Sequence, residues 1–274
     1  MENKSILITG ASGSIGSELY RQLAQKNRIL AVDQNESALF DLHEEYAQKG
    51  CDVLFRIGDI RDERVVKEIF QFMPEVVFHC AALKHVYPTE LLPREAVQTN
   101  VLGTLNIVEE AKRTKVPTLI YISTDKVING NSVMGVTKKL GELITRNAGY
   151  VAVRFGNVLG SRGSLLPIWE RQLAKGEPLT VTDERAERFF MTIEEAVALV
   201  IKAGTLDVSG TLVMEMGERK NILALAKEIL GKVGKPDYPI KMIGLRKGET
   251  LSEEIMTPTE RETATKIDEF YLLK

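Results

Sequence analysis

Residues 6–19 read ILITGASGSIGSEL, in which three glycines join a short apolar run to an amphipathic one. The apolar run predicts a β-strand, and the segment from Ile15 onward predicts an α-helix. Gly10 allows a tight turn between them, Gly13 lets a phosphate approach the backbone, and Gly16 lets the helix pack closely on the strand. The helix N-terminus adds free N–H groups and the positive end of its dipole. The stretch therefore predicts a dinucleotide site formed by Gly10, Ser12, Gly13, Ser14, Ile15 and Gly16.

The first half of the chain repeats this alternation of strand and helix. Short β-rich runs lie at residues 5–9, 28–33, 52–57, 75–80, 118–123 and 150–155, with amphipathic segments between them. Six strands joined by crossover helices predict an α/β fold, a Rossmann-type doubly wound parallel sheet with a small C-terminal substrate-binding lobe. We assign residues 1–155 to the nucleotide-binding domain, expect helix 192–203 to pack back on it, and assign residues 156–191 and 204–274 to the lobe.

A carboxylate at the end of the second predicted strand indicates which dinucleotide the site takes. Asp33 can accept hydrogen bonds from both ribose hydroxyls, and the 2′-phosphate of NADP would meet its like charge. No arginine or lysine lies within the glycine turn, so the sequence favours NAD over NADP. Asp33 could instead cap the helix that follows. Asp59 and Ile60, after the third strand, are expected beside the adenine, although Asp59 could equally be a helix cap.

Composition excludes several classes of protein. The formal net charge of the 274 residues is −2, so no overall positive field attracts nucleic acid or an anionic membrane. No apolar run approaches the roughly 18–20 residues that span a bilayer, and the N-terminus has no export signal, so we expect a cytoplasmic protein. Cys51 and Cys80 have no CxxC spacing and are interpreted as core thiols. No group of His, Cys and carboxylate residues has the spacing of metal ligands, so we expect no metal.

Further motifs resemble one enzyme family. They are TGASGSIG (residues 9–16), AALKHV (81–86), TDKVINGNSVMGVTKK (124–139), VRFGNVLGSRGS (153–164), RFFMTIEEA (188–196) and IGLRKGETLSEE (243–254). Together they resemble the extended short-chain dehydrogenase/reductases, and among these the UDP-N-acetylglucosamine 4,6-dehydratases of the polysaccharide biosynthesis protein family. Many members carry an N-terminal membrane region, whereas this chain begins at its first strand, so we expect the soluble form. The resemblance also implies a homo-oligomer assembled through helices of the Rossmann domain.

The resemblance implies a role for each residue of the reacting centre. Thr124 would hydrogen-bond the sugar O4 hydroxyl, Asp125 would be the general acid, and Lys126 the general base. Lys138 would hold the nicotinamide ribose. In such enzymes bound NAD takes a hydride from C4, and the resulting ketone acidifies the C5 proton, which the base removes. The acid protonates the departing O6 hydroxyl, and the hydride returns to C6.

Met134 stands where related reductases carry a tyrosine. It lies one helical turn before Lys138, so the two side chains share one helix face. A thioether has no titratable proton and cannot deprotonate O4 as a phenol would. We expect Met134 to pack against the cofactor or the sugar, while Asp125, Lys126 or a relayed water takes the O4 proton.

The same resemblance adds residues around the ligands. It implies cofactor contacts from Cys80, Ala81, Ala82, Asn100 and Lys138. It places at the nucleotide sugar Lys84, Asn157, Arg162, Arg188, Arg246 and Glu249. Guanidinium groups suit the diphosphate because they bind phosphate oxygens bidentately, and Glu249 suits the ribose hydroxyls. His79 and His85 are interpreted as structural.

Two other functions stay open at this point. A nucleotide-sugar 4-epimerase would have the same fold, but it needs no acid–base pair at C5 and C6 and usually relies on the missing tyrosine. A catalytically silent NAD-binding regulator would explain the missing tyrosine, but not the presence together of Thr124, Asp125, Lys126 and Lys138. UDP, GDP and dTDP are all open as the carrier, as are retention and inversion at C5.

Overall fold

The computed structural model describes all 274 residues. The strands are β1 (Ser5–Thr9), β2 (Arg28–Asp33), β3 (Val53–Ile57), β4 (Val76–His79), β5 (Thr118–Ile122), β6 (Val151–Arg154), β7 (Asn157–Val158), β8 (Leu179–Val181), β9 (Glu187–Arg188), β10 (Phe190–Met191), β11 (Gly210–Met214), β12 (Lys220–Asn221), β13 (Ile240–Met242), β14 (Thr265–Ile267) and β15 (Phe270–Leu273). The α-helices are α1 (Ser14–Leu23), α2 (Glu36–Ala47), α3 (Glu63–Ile69), α4 (Val86–Leu91), α5 (Pro93–Ala96), α6 (Thr104–Arg113), α7 (Val133–Asn147), α8 (Leu165–Ala174), α9 (Ile193–Ala203), α10 (Ile222–Lys232) and α11 (Pro258–Thr263). None of them has both the length and the apolar composition that crossing a bilayer requires.

Nine strands form the main sheet, in the order β14-β15-β11-β6-β5-β4-β1-β2-β3. Strands β3, β2, β1, β4, β5 and β6 all pair in parallel. This is the doubly wound order, so the six strands and the Rossmann-type fold expected from the sequence are confirmed. The strand order reverses beside β1, and ligands of such sheets bind in the crevice at the carboxyl ends of the strands next to that reversal.

The sheet extends beyond the six predicted strands. β11 pairs in parallel with β6, and β15 pairs antiparallel with β11 and β14. We expected residues 204–274 in the lobe, whereas the structure places these three strands in the main sheet. All five residues of β11 are buried. A strand buried on both faces belongs inside a covered sheet, which explains its position.

Helices cover both faces of the sheet. α1, α2 and α9 form one layer, in which Leu19 and Val197 are fully buried. α3 and α6 form the other, around Ile107. α9 contacts α1, as expected for the helix at residues 192–203, and begins at a capping box between Thr192 and Glu195.

The small lobe has a core of its own. Trp169 of α8 is 1% exposed and packs with Leu179 of β8 and Leu225 of α10. Its indole N–H donates to the carbonyl oxygen of Thr180 at 2.9 Å. This second core holds α8 in place at one wall of the cavity described below.

Candidate active site

A cavity of about 690 Å³ opens at the carboxyl ends of β1, β4, β5 and β6 and is walled on the other side by the lobe. The site residues from the sequence analysis that line it are Gly10, Gly13, Ser14, Ile15, Gly16, Cys80, Ala82, Lys84, Thr124, Lys126, Met134, Lys138, Asn157, Arg162, Arg188 and Glu249. Those outside its lining are Ser12, Asp33, Asp59, Ile60, Ala81, Asn100, Asp125 and Arg246. The cavity therefore brings the glycine turn, most of the reacting centre and part of the lobe into one site.

The glycine turn has the shape that a dinucleotide diphosphate needs. Gly10 has φ +66°, and a Cβ there would lie 2.6 Å from the amide nitrogen of Ala81. A Cβ on Gly16 would lie 2.2 Å from the Gly10 carbonyl oxygen, so only glycine allows α1 to approach the turn. Gly13 is the N-cap of α1 and offers no capping side chain. The first N–H groups of α1 are therefore free to bind an anion.

Asp33 supports the turn from the end of β2. Its Oδ2 accepts the backbone N–H of Ser12 at 3.0 Å, and its Oδ1 accepts that of Asn35 at 3.0 Å. The N-cap of α2 is Asn35, whose side chain accepts from the N–H of Ala38 at 3.2 Å. The alternative role of Asp33 as that cap is therefore wrong. Its carboxylate stands at the edge of the turn, where a cofactor ribose would bind.

Asp59 and Ile60 are not part of the cavity lining. Asp59 accepts the N–H and the Nε–H of Arg61 at 2.9 and 2.7 Å. The cap of α3 is Asp62, so the capping alternative for Asp59 is also wrong. Ile60 is 5% exposed and packs against Gly103. Both side chains are thus held within the nucleotide-binding domain itself.

The predicted catalytic residues after β5 form one hydrogen-bonded cluster at a 3₁₀ turn, Asp125–Val127. Thr124 Oγ1 donates to Asp125 Oδ1 at 2.9 Å. Lys126 Nζ donates to the same oxygen at 2.9 Å and to Asn157 Oδ1 at 3.0 Å. Asp125 is fully buried, and its Oδ2 has no hydrogen-bond partner in the chain. The cluster thus combines a buried carboxyl, a lysine at the cavity surface and a hydroxyl that bridges to the carboxyl.

Met134 and Lys138 face the cavity from α7, whose N-cap is Ser132. Met134 is 2% exposed and Lys138 is 5% exposed. Burial lowers the pKa of Lys138 to about 7, although Cys80 and Glu142 act in the opposite direction. Its ammonium lies 4.0 Å from the centroid of the Tyr121 ring. Lys138 can therefore change charge near neutral pH, while Met134 adds only apolar surface.

Two fully buried polar residues, Asn100 and His79, lie outside the cavity lining. Asn100 is fully buried, and its amide bonds the N–H and the carbonyl of Leu83 at 2.8 and 2.9 Å. It therefore holds the loop after β4 and does not reach the cavity, contrary to the cofactor contact we expected. His79 lies between the hydroxyls of Thr9 and Thr104 at 2.7 and 3.0 Å. Burial lowers its pKa to about 3, so it is a neutral, structural histidine, as predicted.

Both thiols pack against the apolar core, as expected, and Cys80 and His85 also line the cavity. Cys51 and Cys80 are both only half-buried, and Cys80 lines the cavity. The burial of Cys80 raises the pKa of its thiol to about 12, so it is protonated. His85, interpreted as structural, also lines the cavity, beside Gly163. Its position could not be told from the sequence because Gly163 comes from a distant loop.

The arginines expected at the diphosphate have three different environments. Arg162 is exposed, and its backbone N–H donates to Ser14 Oγ at 2.9 Å, so its loop touches the glycine turn. Arg188 donates to three carbonyl oxygens, those of Glu187, Thr250 and Leu251, at 2.6 to 2.8 Å.

Arg246 lies outside the lining, with its guanidinium 5.9 Å from the centroid of the Tyr87 ring. Its backbone N–H donates to the carboxylate of Glu249 at 3.0 Å. Arg162 is therefore better placed for a ligand phosphate than Arg188, and Arg246 is the least well placed.

A buried ion pair behind the site was missed. Arg154, at the end of β6, is fully buried and its Nη2 lies 2.5 Å from Oε1 of Glu142, which is 1% exposed. The only signal in the sequence was a charged residue inside the apolar run VAVRF, residues 151–155. Buried charges need partners, but the sequence does not say which carboxylate supplies one.

Comparison with known proteins places the chain in a family. The family model described as polysaccharide biosynthesis protein matches residues 6–274. The capsular polysaccharide biosynthesis protein CapD of Staphylococcus aureus is 40% identical over 276 residues, which cover 95% of this chain and 46% of that protein. The chain thus spans about half the length of this relative.

Two further relatives match along most of their own length. The UDP-glucose 4-epimerase of Rickettsia canadensis is 31% identical over 284 residues, covering 98% of this chain and 82% of that protein. The crystal structure of Pen from Bacillus thuringiensis superposes with a TM-score of 0.93 at 33% identity, covering 98% of this chain and 87% of that one. The family resemblance seen in the sequence is confirmed, and the chain belongs to the polysaccharide biosynthesis protein family.

Proposed function

We propose that the protein is an NAD-dependent nucleotide-sugar 4,6-dehydratase, a hydro-lyase of polysaccharide biosynthesis. Its substrate is UDP-N-acetylglucosamine or a related nucleotide-linked N-acetylhexosamine, and its product is the 4-keto-6-deoxy sugar. The observation that supports this most directly is the Thr124–Asp125–Lys126 cluster, in which a buried carboxyl contacts a cavity-facing lysine. Water loss across C5 and C6 needs one acid and one base side by side.

The residues present fit NAD. Gly10 and Gly13 leave room for the diphosphate at the free N–H groups of α1, and Asp33 stands where a ribose would bind. Lys138 supplies a cation to the nicotinamide ribose. When bound, NAD supplies a reversible hydride acceptor for the sugar C4 and C6, so that it ends the cycle unchanged.

The proton steps can be assigned to side chains already in contact. Lys126 lines the cavity, where its amine can reach the C5 proton, and we assign it the role of base. The O4 proton passes through the Thr124 hydroxyl to Asp125, since Thr124 already donates to that carboxylate. Lys126 takes the C5 proton, the proton held on Asp125 passes back through the cavity-facing Thr124 hydroxyl to the departing O6, and Lys126 returns its proton to C5. One water leaves, and both side chains end in their starting states.

Met134 is compatible with this scheme because the scheme assigns no proton to it. Its buried thioether supplies apolar surface beside Lys138. This also bears on the second candidate, a 4-epimerase, which is favoured by the name of the Rickettsia canadensis relative. An epimerase oxidises and reduces C4 alone, so it would leave the Asp125–Lys126 pair without a task. The pair therefore supports the dehydratase.

The homo-oligomer expected from the resemblance is also part of this proposal. Large apolar side chains are exposed on the neighbouring segments from α4 to α7. They include Leu91 of α4, Leu102 just before α6 and Leu140 of α7, which are 61%, 48% and 43% exposed. Sedimentation equilibrium measures the assembly directly. A monomer at micromolar concentration would contradict this part of the proposal.

Mass spectrometry of UDP-N-acetylglucosamine incubated with the protein and a catalytic amount of NAD tests the function. A product lighter by one water, formed over many turnovers per cofactor, is expected. An unchanged mass with an altered sugar configuration would establish the epimerase instead. If UDP-, GDP- and dTDP-linked sugars all stay unchanged with NAD bound, the dehydratase proposal is wrong and the silent binder replaces it.

A further inference from the structure

We propose that Glu142 is a positioning residue that holds the catalytic turn of residues 124–127 and the helix of Lys138 in register, and links both to the C-terminal segment through Arg154. Glu142 lies outside the cavity lining, so it acts through other residues. The effect on turnover rests on the proposed dehydratase function, whereas the positioning itself does not.

The contacts of Glu142 reach both halves of the reacting centre. It lies on α7 one turn after Lys138 and is 1% exposed. Its Oε2 accepts the hydroxyl of Ser123 at 2.8 Å, and Ser123 directly precedes Thr124. Its Oε1 accepts the hydroxyl of Thr211 from β11 at 3.1 Å. A single carboxylate therefore joins β5, α7 and β11 immediately behind the catalytic turn.

Arg154 extends this connection to the lobe side. Its Nη1 and Nη2 donate to the carboxylate of Glu260 at 2.9 and 3.1 Å, and Nη1 donates to the carbonyl of Ile255 at 3.0 Å. Glu260 completes the capping box of α11 with Thr257. The same C-terminal segment carries Glu249, which lines the cavity. The network thus runs from the catalytic turn to the segment that walls the ligand site.

Stability alone is a poor reason for this arrangement. Desolvating charged groups is costly, and apolar side chains of similar volume commonly stabilise a fold as well or better. Burial raises the pKa of Glu142, but the charge and hydrogen bonds of Arg154 and the hydrogen bond of Ser123 outweigh it, so Glu142 is ionised. A network of directed, charge-assisted bonds instead fixes one geometry of the turn relative to the helix.

Glu142 also contributes to the charge that Lys138 meets. The groups that face the Lys138 ammonium are His79 and Cys80 from the end of β4, the Tyr121 ring from β5, and Glu142 from α7. Only Glu142 among them is negatively charged at neutral pH, and it raises the pKa of Lys138. Removing that charge should therefore move the loss of the Lys138 proton to lower pH.

Three variants test the proposal in the full chain with NAD. Glu142→Gln and Ser123→Ala should each lower kcat about ten-fold or more, with NAD affinity and KM changed less than about two-fold. The alkaline limb of the pH–rate profile should move to lower pH in Glu142→Gln but not in Ser123→Ala, which keeps the charge. Glu110→Gln is the matched control, because Glu110 is also a buried carboxylate paired with an arginine, on α6. It should leave kcat and the pH limb unchanged.

Amide hydrogen exchange of residues 123–127 separates this proposal from the proposed function. Glu142→Gln and Ser123→Ala should speed exchange in that segment, and Glu110→Gln should not. If the wild-type protein removes water from no nucleotide sugar, the dehydratase proposal fails, and the exchange rates still decide the positioning role. Unchanged exchange in both variants, or an unchanged kcat in an active enzyme, would overturn it.

Discussion

Lys126 Nζ lies 2.9 Å from Asp125 Oδ1, yet the two side chains differ sharply in exposure, at 19% and 0%. The lysine meets the cavity, while the carboxyl lies behind it with one oxygen unpartnered. The pair therefore joins a cavity-facing amine to a carboxyl that is shielded from solvent. In the proposed reaction the first is the base at C5 and the second is the acid at O6.

Lys126→Ala should abolish water loss while NAD binds as before. The change removes the proposed base but leaves the glycine turn and Lys138 intact. General acid–base groups contribute about 10²–10⁴-fold to rate, so turnover measured by mass spectrometry should fall by at least that range. Lys112→Ala, an exposed lysine on α6, should keep full activity. Undiminished turnover in Lys126→Ala would remove Lys126 from the mechanism.

Met134→Tyr should lower turnover and should not restore a tyrosine-dependent reaction. Met134 is 2% exposed, and a larger side chain in packed surroundings typically costs about 1–3 kcal/mol. Met134→Leu, which roughly conserves volume, should keep most of the activity. Initial rates of the three proteins, compared at equal NAD occupancy, test this. Equal or higher activity in Met134→Tyr would show that the site has room for a phenol and that the apolar group is not required.

The sequence predicted those features that depend on neighbours along the chain. Gly10 and Gly16 lie within one strand-turn-helix unit, so the tight turn and the close helix packing that they allow follow from spacing alone. Glu142 and Arg154 could not be paired in advance, because their contact depends on how α7 packs against β6.

Contacts between segments that are distant in the sequence could not be predicted either. Arg162 and Arg246 have similar sequence surroundings, but only the first lies in a loop that touches the glycine turn. Strand β11 was placed in the lobe because a long excursion separates it from β6, its neighbour in the sheet.

Asp33→Ala should weaken NAD binding and reduce the preference for NAD over NADP. The carboxylate supports Ser12 in the turn, and its charge would oppose the 2′-phosphate of NADP. Loss of hydrogen bonds to a charged group costs about 1.5–3 kcal/mol, which corresponds to about ten-fold or more in Kd. Calorimetric titration with each dinucleotide measures both effects, with Asp41→Ala on the exposed face of α2 as the control. An unchanged Kd for NAD would leave Asp33 with only its role in supporting the turn.

Lys138 should make the ligand-free protein more stable as the pH rises above neutral. Burial lowers its pKa from 10.5 to about 7, so between these values the unfolded chain binds a proton that the folded one does not. The destabilisation is thus fully present below about pH 7 and is relieved as the pH approaches 10.5. Lys138→Met should therefore abolish turnover but stabilise the fold. The free energy of unfolding should rise by about 2–4 kcal/mol at about pH 6, where the rise in Tm should also be largest. The gain should shrink towards about pH 9. Thermal unfolding of the wild type and of Lys138→Met across this range, with exposed Lys112→Met as the control, tests the sign. Parallel curves for the wild type and Lys138→Met would mean that the buried lysine does not lose its proton near neutral pH.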